Sequence, residues 1–275
     1  MKKVLITGAD GMLGQDLSRV FENHDIQVIK TNRKTLDITN FEQAKEVILR
    51  ENPNAIIHCA AYTNVDNAET DIEAARKINV QGTENIAKAC NCPMVYISTD
   101  YVFDGTSTKP YTPQDTPNPI NNYGLTKLEG EKAVQKYCEK HYIVRTSWLY
   151  GLYGKNFVET MISLATKPEL KVVNDQTGCP TWTVDLAEGI YTLLDTQKPY
   201  EIYHICGDGQ TTWYEFAKEI FTQCELDVNV IPCNTEDFPR PARRPKYSVM
   251  NNNGLCRNWK EGLKDYIKLR NGVQI

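Results

Sequence analysis

Short apolar, β-branched runs alternate with stretches of helical periodicity along the first half of the chain. Residues 2–7, 26–30, 54–58 and 142–146 read as strands, as does the run from Met94 that ends in Ser98-Thr99-Asp100. Between them, apolar positions recur at helical spacing from the glycines after residue 7 to about Phe21, over 41–50 and over 72–89. Thr39 or Asn40 is placed to cap the second of these helices, and Asn121 or Asn122 to cap one that opens at Tyr123. Strands alternating with helices at this spacing predict βαβ units and an α/β fold, a Rossmann-like, doubly wound parallel sheet. Past about Gly151 the pattern loosens. Helices are expected near 156–165, 184–194, 212–221 and 259–269, with strands at 170–173, 202–205 and 228–231. These interleave with the earlier elements, which predicts a smaller C-terminal lobe packed on the first.

Gly8-Ala9-Asp10-Gly11-Met12-Leu13-Gly14 joins the first strand to the first helix. Glycines there permit a tight turn and close backbone approach, and the helix N-terminus offers N–H groups to a diphosphate. Residues 1–150 are therefore expected to bind a dinucleotide, with later segments returning to them, and 151–275 to form mainly a substrate-binding lobe. The second strand ends in Thr31-Asn32-Arg33-Lys34, with no acid for a ribose diol and with Arg33 available to a 2′-phosphate. That points to NADPH, with NADH as the alternative. After the third strand, Cys59-Ala60-Ala61-Tyr62 would let the backbone come close to a flat cofactor.

Tyr123 and Lys127 lie four residues apart, on one face of a helix. An ammonium beside a phenol favours the phenolate and lowers its pKa. Thr99, at the carboxyl end of its strand, would bring a hydroxyl to the same substrate oxygen. A hydroxyl, a phenol and a cation converging on a carbonyl make a proton-delivery site for hydride chemistry. Tyr-x-x-x-Lys alone is common by chance; its order after a glycine turn and Ser98-Thr99 is what gives it weight.

The charge balance of −4 argues against a basic nucleic-acid surface, and no apolar run reaches the ~18 residues of a spanning helix. Met1-Lys2-Lys3 leads straight into a strand, and the odd count of nine cysteines reads as reduced thiols of a cytoplasmic protein. Cys90-Asn91-Cys92 lacks a second ligand pair at metal spacing, and no metal is expected. His58 reads as a packed neighbour of the cofactor pocket. Residues 238–246 form a proline-braced cationic loop containing Arg244.

In this order the motifs resemble the extended short-chain dehydrogenase/reductases. More narrowly, residues 36–40, 59–66, 98–103, 145–151 and 242–248 are similar to the dTDP-4-dehydrorhamnose reductase family. The resemblance runs through nearly the whole chain and implies reduction of the C4 ketone of dTDP-4-dehydro-β-L-rhamnose by NAD(P)H. It implies Tyr123 as general acid, Lys127 as its partner and ribose ligand, and Thr99 as the hydroxyl on the C4 oxygen. Asp37 and Ile38 would flank the adenine, while Cys59, Ala60, Ala61 and Tyr62 would line the cofactor with support from Asn79. Val65, Asp100, Tyr101 and Trp148 would border the sugar, and Asn156 and Arg244 would face the nucleotide diphosphate. Related dehydratases carry Thr-Asp-Glu where this chain has Thr99-Asp100-Tyr101, which favours reduction over elimination. Some relatives dimerise through Mg²⁺ held by glutamates; the matching helix position is Asp16. A monomer or homodimer is expected. Two other readings remain: another nucleotide-sugar reductase or epimerase, and a non-catalytic dinucleotide-binding regulatory subunit.

Overall fold

The computed structural model describes residues 1–273. A six-stranded parallel sheet forms its centre, built from β1 (Lys3–Thr7), β2 (Gln27–Thr31), β3 (Ala55–His58), β4 (Met94–Thr99), β5 (His141–Thr146) and β6 (Ile202–His204). Their spatial order is β2-β1-β3-β4-β5-β6, so the chain leaves β1 in one direction and returns on its other side. That reversal opens a crevice at the carboxyl ends of β1 and β3, where doubly wound sheets bind ligands. The inner strands β1, β3 and β4 are almost continuously apolar because both faces are covered, while the edge strand β2 leaves Gln27 and Lys30 exposed.

On one face, helices α1 (Met12–Asn23) and, later in the chain, Thr183–Asp195 bury Leu17, Phe21, Leu186 and Ile190 against Val4, Ile6 and Val144. On the other, α2 (Phe41–Glu51), α3 (Thr83–Ala89) and α4 (Asn122–Tyr137) enclose Leu5, Ile48, Ile86, Tyr96 and Val134. Asn40 caps α2 and Asn121 caps α4, each through its side chain. Residues 183–204 thus lie beyond position 150 yet complete the first sheet. A separate core, centred on Tyr150, Trp182, Phe216, Trp259 and Tyr266, holds the second lobe together. There Glu169–Val173 pairs in parallel with Asn229–Cys233.

The expected continuous helix over 72–89 is interrupted. Ile72–Arg76 and α3 flank a π-helical segment, Lys77–Gly82. One such widened turn re-aims its side chains, a device frequent at functional sites. Here it brings Asn79, which is buried, to Tyr62: Asn79 Oδ1 accepts from Tyr62 N at 2.8 Å and Nδ2 donates to Tyr62 O at 3.1 Å.

Candidate active site

A cavity of about 940 Å³ occupies the crevice. Gly8, Asp10, Gly11, Met12 and Leu13 form one wall. Gly8 has φ +67°, and a Cβ there would stand 2.9 Å from Ala60 Cα, so the turn and the small residues after β3 require each other. Gly11 is the N-cap of α1 and no side chain caps it, which leaves first-turn N–H groups free for an anion. Arg33, Asp37 and Ile38 continue this wall, followed by Cys59, Ala60, Ala61, Tyr62 and Val65. Asp37 accepts from the Thr39 hydroxyl at 2.8 Å and the Thr39 N–H at 3.0 Å, which hold its carboxyl below the ordinary value. The donors and close backbone approach fit a dinucleotide.

Thr99, Asp100, Tyr101, Tyr123, Lys127 and Trp148 line the inner end. A Cβ on Gly124 would fall on the Tyr101 carbonyl, 2.0 Å away, so only glycine lets the start of α4 press this close to the end of β4. Tyr101 and Tyr123 then meet edge to face, with centroids 5.7 Å apart. The Thr99 hydroxyl accepts from Tyr101 N at 3.2 Å and donates to Asp100 Oδ1 at 3.1 Å. Burial raises the Asp100 carboxyl to about 6, against the opposing hydroxyls of Ser248 and Thr99. Burial likewise raises the Tyr123 phenol to about 12, tempered by the Thr99 hydroxyl beside it.

Lys127 departs from expectation. Its Nζ donates to the Ile97 carbonyl at 2.6 Å and lies 4.1 Å over the Tyr96 ring. Burial lowers its amine to about 7, with Glu131 opposing. The expected depression of the phenol by its neighbouring cation does not appear: burial and the Asp100 carboxylate raise it, only the Thr99 hydroxyl opposes them, and Tyr123 stays protonated at neutral pH. A proton donor in a reduction needs that form.

A family model described as the RmlD substrate binding domain matches residues 1–271. The chain belongs to the dTDP-4-dehydrorhamnose reductase family. Among its relatives, the spore coat polysaccharide biosynthesis protein SpsK of Bacillus subtilis is 37% identical, with 99% of each chain covered. A dTDP-4-dehydrorhamnose reductase structure from Clostridium acetobutylicum is 47% identical at a TM-score of 0.94, covering 97% of this chain and 99% of that one. The reductase from Bacillus anthracis, solved in complex with NADP, is 44% identical with the same TM-score and coverage.

Two residues that the resemblance placed at the diphosphate do not line the cavity of this family member. Asn156 is buried as the N-cap of Phe157–Leu164: its Oδ1 accepts from Glu159 N at 3.0 Å and its Nδ2 donates to Gly151 O at 2.8 Å. Both ends of the amide are consumed by the helix start. Arg244 pairs with Asp66 and donates to Ala242 O at 2.6 Å, while its charge also bears on the Tyr101 phenol. Asp16 is buried too, bonded to the Thr183 hydroxyl and to Arg19 at 3.3 Å. Among the described residues no cluster of His, Cys, Asp or Glu is arranged to hold a metal. His58 bonds Thr7 Oγ1 at 2.7 Å and Thr83 Oγ1 at 3.1 Å, and burial lowers it to about 3, so it is a neutral packing residue.

Other lining residues went unread in the sequence. Trp213 stacks flat on Trp148, 3.5 Å between centroids, and donates to Gln176 Oε1 at 3.1 Å. This stack helps hold Trp148 at φ +47°, a left-handed conformation rare for a bulky residue. Lys155 adds an exposed cation at the rim. Trp213 follows Thr212, the N-cap of its helix, a local signal that marks a helix start but not what it faces. Asp10 supplies a further surprise. Its carboxylate accepts from Asn32 Nδ2 at 2.7 Å, so the glycine turn brings an acid to the end of β2 that the strand itself lacks.

Proposed function

We propose that this protein reduces the C4 ketone of dTDP-4-dehydro-β-L-rhamnose to dTDP-L-rhamnose with NADPH. The observation that carries the reading is the convergence of Thr99, Tyr123 and Lys127 on one cavity that also contains the glycine turn. NADPH, when bound, supplies the hydride that reaches C4. Tyr123, protonated at neutral pH, gives its proton to the C4 oxygen. The Thr99 hydroxyl hydrogen-bonds that oxygen and orients it. The Lys127 ammonium holds the nicotinamide ribose, and the Gly8–Leu13 turn holds the diphosphate. Val65, Asp100, Tyr101 and Trp148 border the sugar, which places the substrate between the sheet and the lobe built mainly from residues 151–275. No helix among the described residues is long and apolar enough to cross a membrane, and we place the enzyme in the cytoplasm as a monomer or homodimer without nucleic-acid partners.

The test is oxidation of NADPH, followed at its absorbance band, with a panel of nucleotide-linked 4-ketosugars. The dTDP-linked 4-dehydrorhamnose is expected to turn over fastest. Failure of every ketosugar would favour the regulatory-subunit reading.

Cofactor choice should be modest. Arg33 is exposed, and exposed charge pairs are worth under about 1 kcal/mol. The Asp10 carboxylate at Asn32 opposes a 2′-phosphate in the same region. The ratio of kcat/KM for NADPH over NADH is expected to fall about three- to five-fold in Arg33→Ala and to rise by a similar factor in Asp10→Asn. Both effects should shrink in high salt. Ratios that stay constant across the two variants would place the 2′-phosphate elsewhere.

A further inference from the structure

A charged pair that none of the steps above uses is buried next to the reacting groups. Arg145 on β5 and Glu131 on α4 are 1% and 2% exposed. Arg145 Nε donates to Glu131 Oε1 at 2.9 Å and Nη2 donates to Oε2 at 2.7 Å. The Ser98 hydroxyl donates to the same Oε1 at 2.5 Å, and Ser98 faces Arg145 in the β4–β5 register. Desolvating two charges is expensive, and an apolar pair of similar volume is often as stable or more so. Stability alone therefore does not account for this pair. Its position does offer an account. Ser98 directly precedes Thr99, and Glu131 follows Lys127 by one helical turn on the same face.

Three elements bring titratable groups around Lys127. His58 and Cys59 come from the end of β3, Tyr96 from β4, and Tyr123 and Glu131 from α4. Burial keeps His58 neutral at about 3, pushes the Cys59 thiol up to about 12 and raises the phenols of Tyr96 and Tyr123. Of these neighbours, Glu131 is the carboxylate, and it is held in place by two hydrogen bonds from Arg145 and one from Ser98.

We propose that Glu131, clamped by Arg145 and Ser98, is a positioning residue: its carboxylate sustains the ammonium charge of Lys127 and, through Ser98, anchors the strand end that carries Thr99. This rests on the reading of Lys127 as the cofactor-holding cation. The Arg145 guanidinium also lies 5.1 Å from the centre of the Phe103 ring.

The experiment follows the Lys127 side-chain amine by ¹⁵N NMR against pH in the cofactor-free protein. Wild type is compared with Glu131→Gln and with the double variant Glu131→Gln/Arg145→Met. NADPH dissociation constants are measured over the same pH range. The Lys127 midpoint, about 7 in wild type, is expected to fall by about one pH unit or more in both variants. NADPH affinity at pH 7 should drop about five-fold or more and recover at lower pH. The single variant leaves Arg145 uncompensated, so circular dichroism must first show that it folds. The double variant removes both charges and decides the matter if it does not. An unmoved midpoint in the folded variants overturns the proposal. So does a double variant that titrates like wild type, since Glu131 would then serve only to neutralise Arg145. Neither readout needs a sugar, so a mistaken substrate would appear separately, as absent turnover with normal titration.

Discussion

Tyr123→Phe is expected to lower kcat by about a hundred- to ten-thousand-fold while leaving NADPH affinity nearly unchanged. The phenol is the group asked to deliver the proton, and the ring that packs edge to face against Tyr101 remains. With its phenol raised to about 12, Tyr123 contributes no alkaline loss of activity below about pH 10. Any alkaline limb nearer neutrality must come from another group. Single-turnover kinetics with saturating ketosugar, alongside fluorescence titration of NADPH, would check the split. Equal losses in kcat and cofactor affinity would mean that Tyr123 supports the pocket and does not act as the acid.

Lys127→Met should damage turnover and cofactor binding together, each by about ten-fold or more, because one ammonium serves both. The sign of the pH dependence follows from burial. The amine is lowered to about 7, so its charge is present below that pH and lost as pH rises through it. Wild-type NADPH affinity is therefore expected to be highest on the acid side and to weaken across neutrality. The methionine variant should bind weakly at every pH, with that dependence gone. Measuring dissociation constants from pH 5.5 to about 9 tests this; a variant that keeps the wild-type slope would assign the titration elsewhere, Asp100 at about 6 being the nearest alternative.

How much of this protein could be read from its residues depends on the range of the interactions involved. The alternation of strands and helices, the glycine turn, a cap at Thr39 or Asn40 and at Asn121 or Asn122, and the one-turn spacing of Tyr123 and Lys127 were all legible. Each is governed by contacts within a few residues, where backbone geometry and side-chain type decide the outcome. The π-helical segment was not, because nothing local distinguishes it from the α-helix around it; the bonds from Asn79 to Tyr62, 17 residues away, accompany it. Asn156 and Arg244 were assigned by motif to a ligand, but the fold engages one with its own helix start and the other with Asp66, 178 residues distant. Asp10 reaches the end of β2 only because the glycine turn folds over it, and Trp213 meets Trp148 only once the second lobe closes. The protonation states of Tyr123 and Lys127 are the clearest case. Spacing predicts attraction between a phenol and an ammonium, whereas the tertiary structure buries both, and loss of water is the largest influence on each pKa. Sequence by itself determined which reactive groups are present and their local order; burial, set by the whole chain, decided their charge.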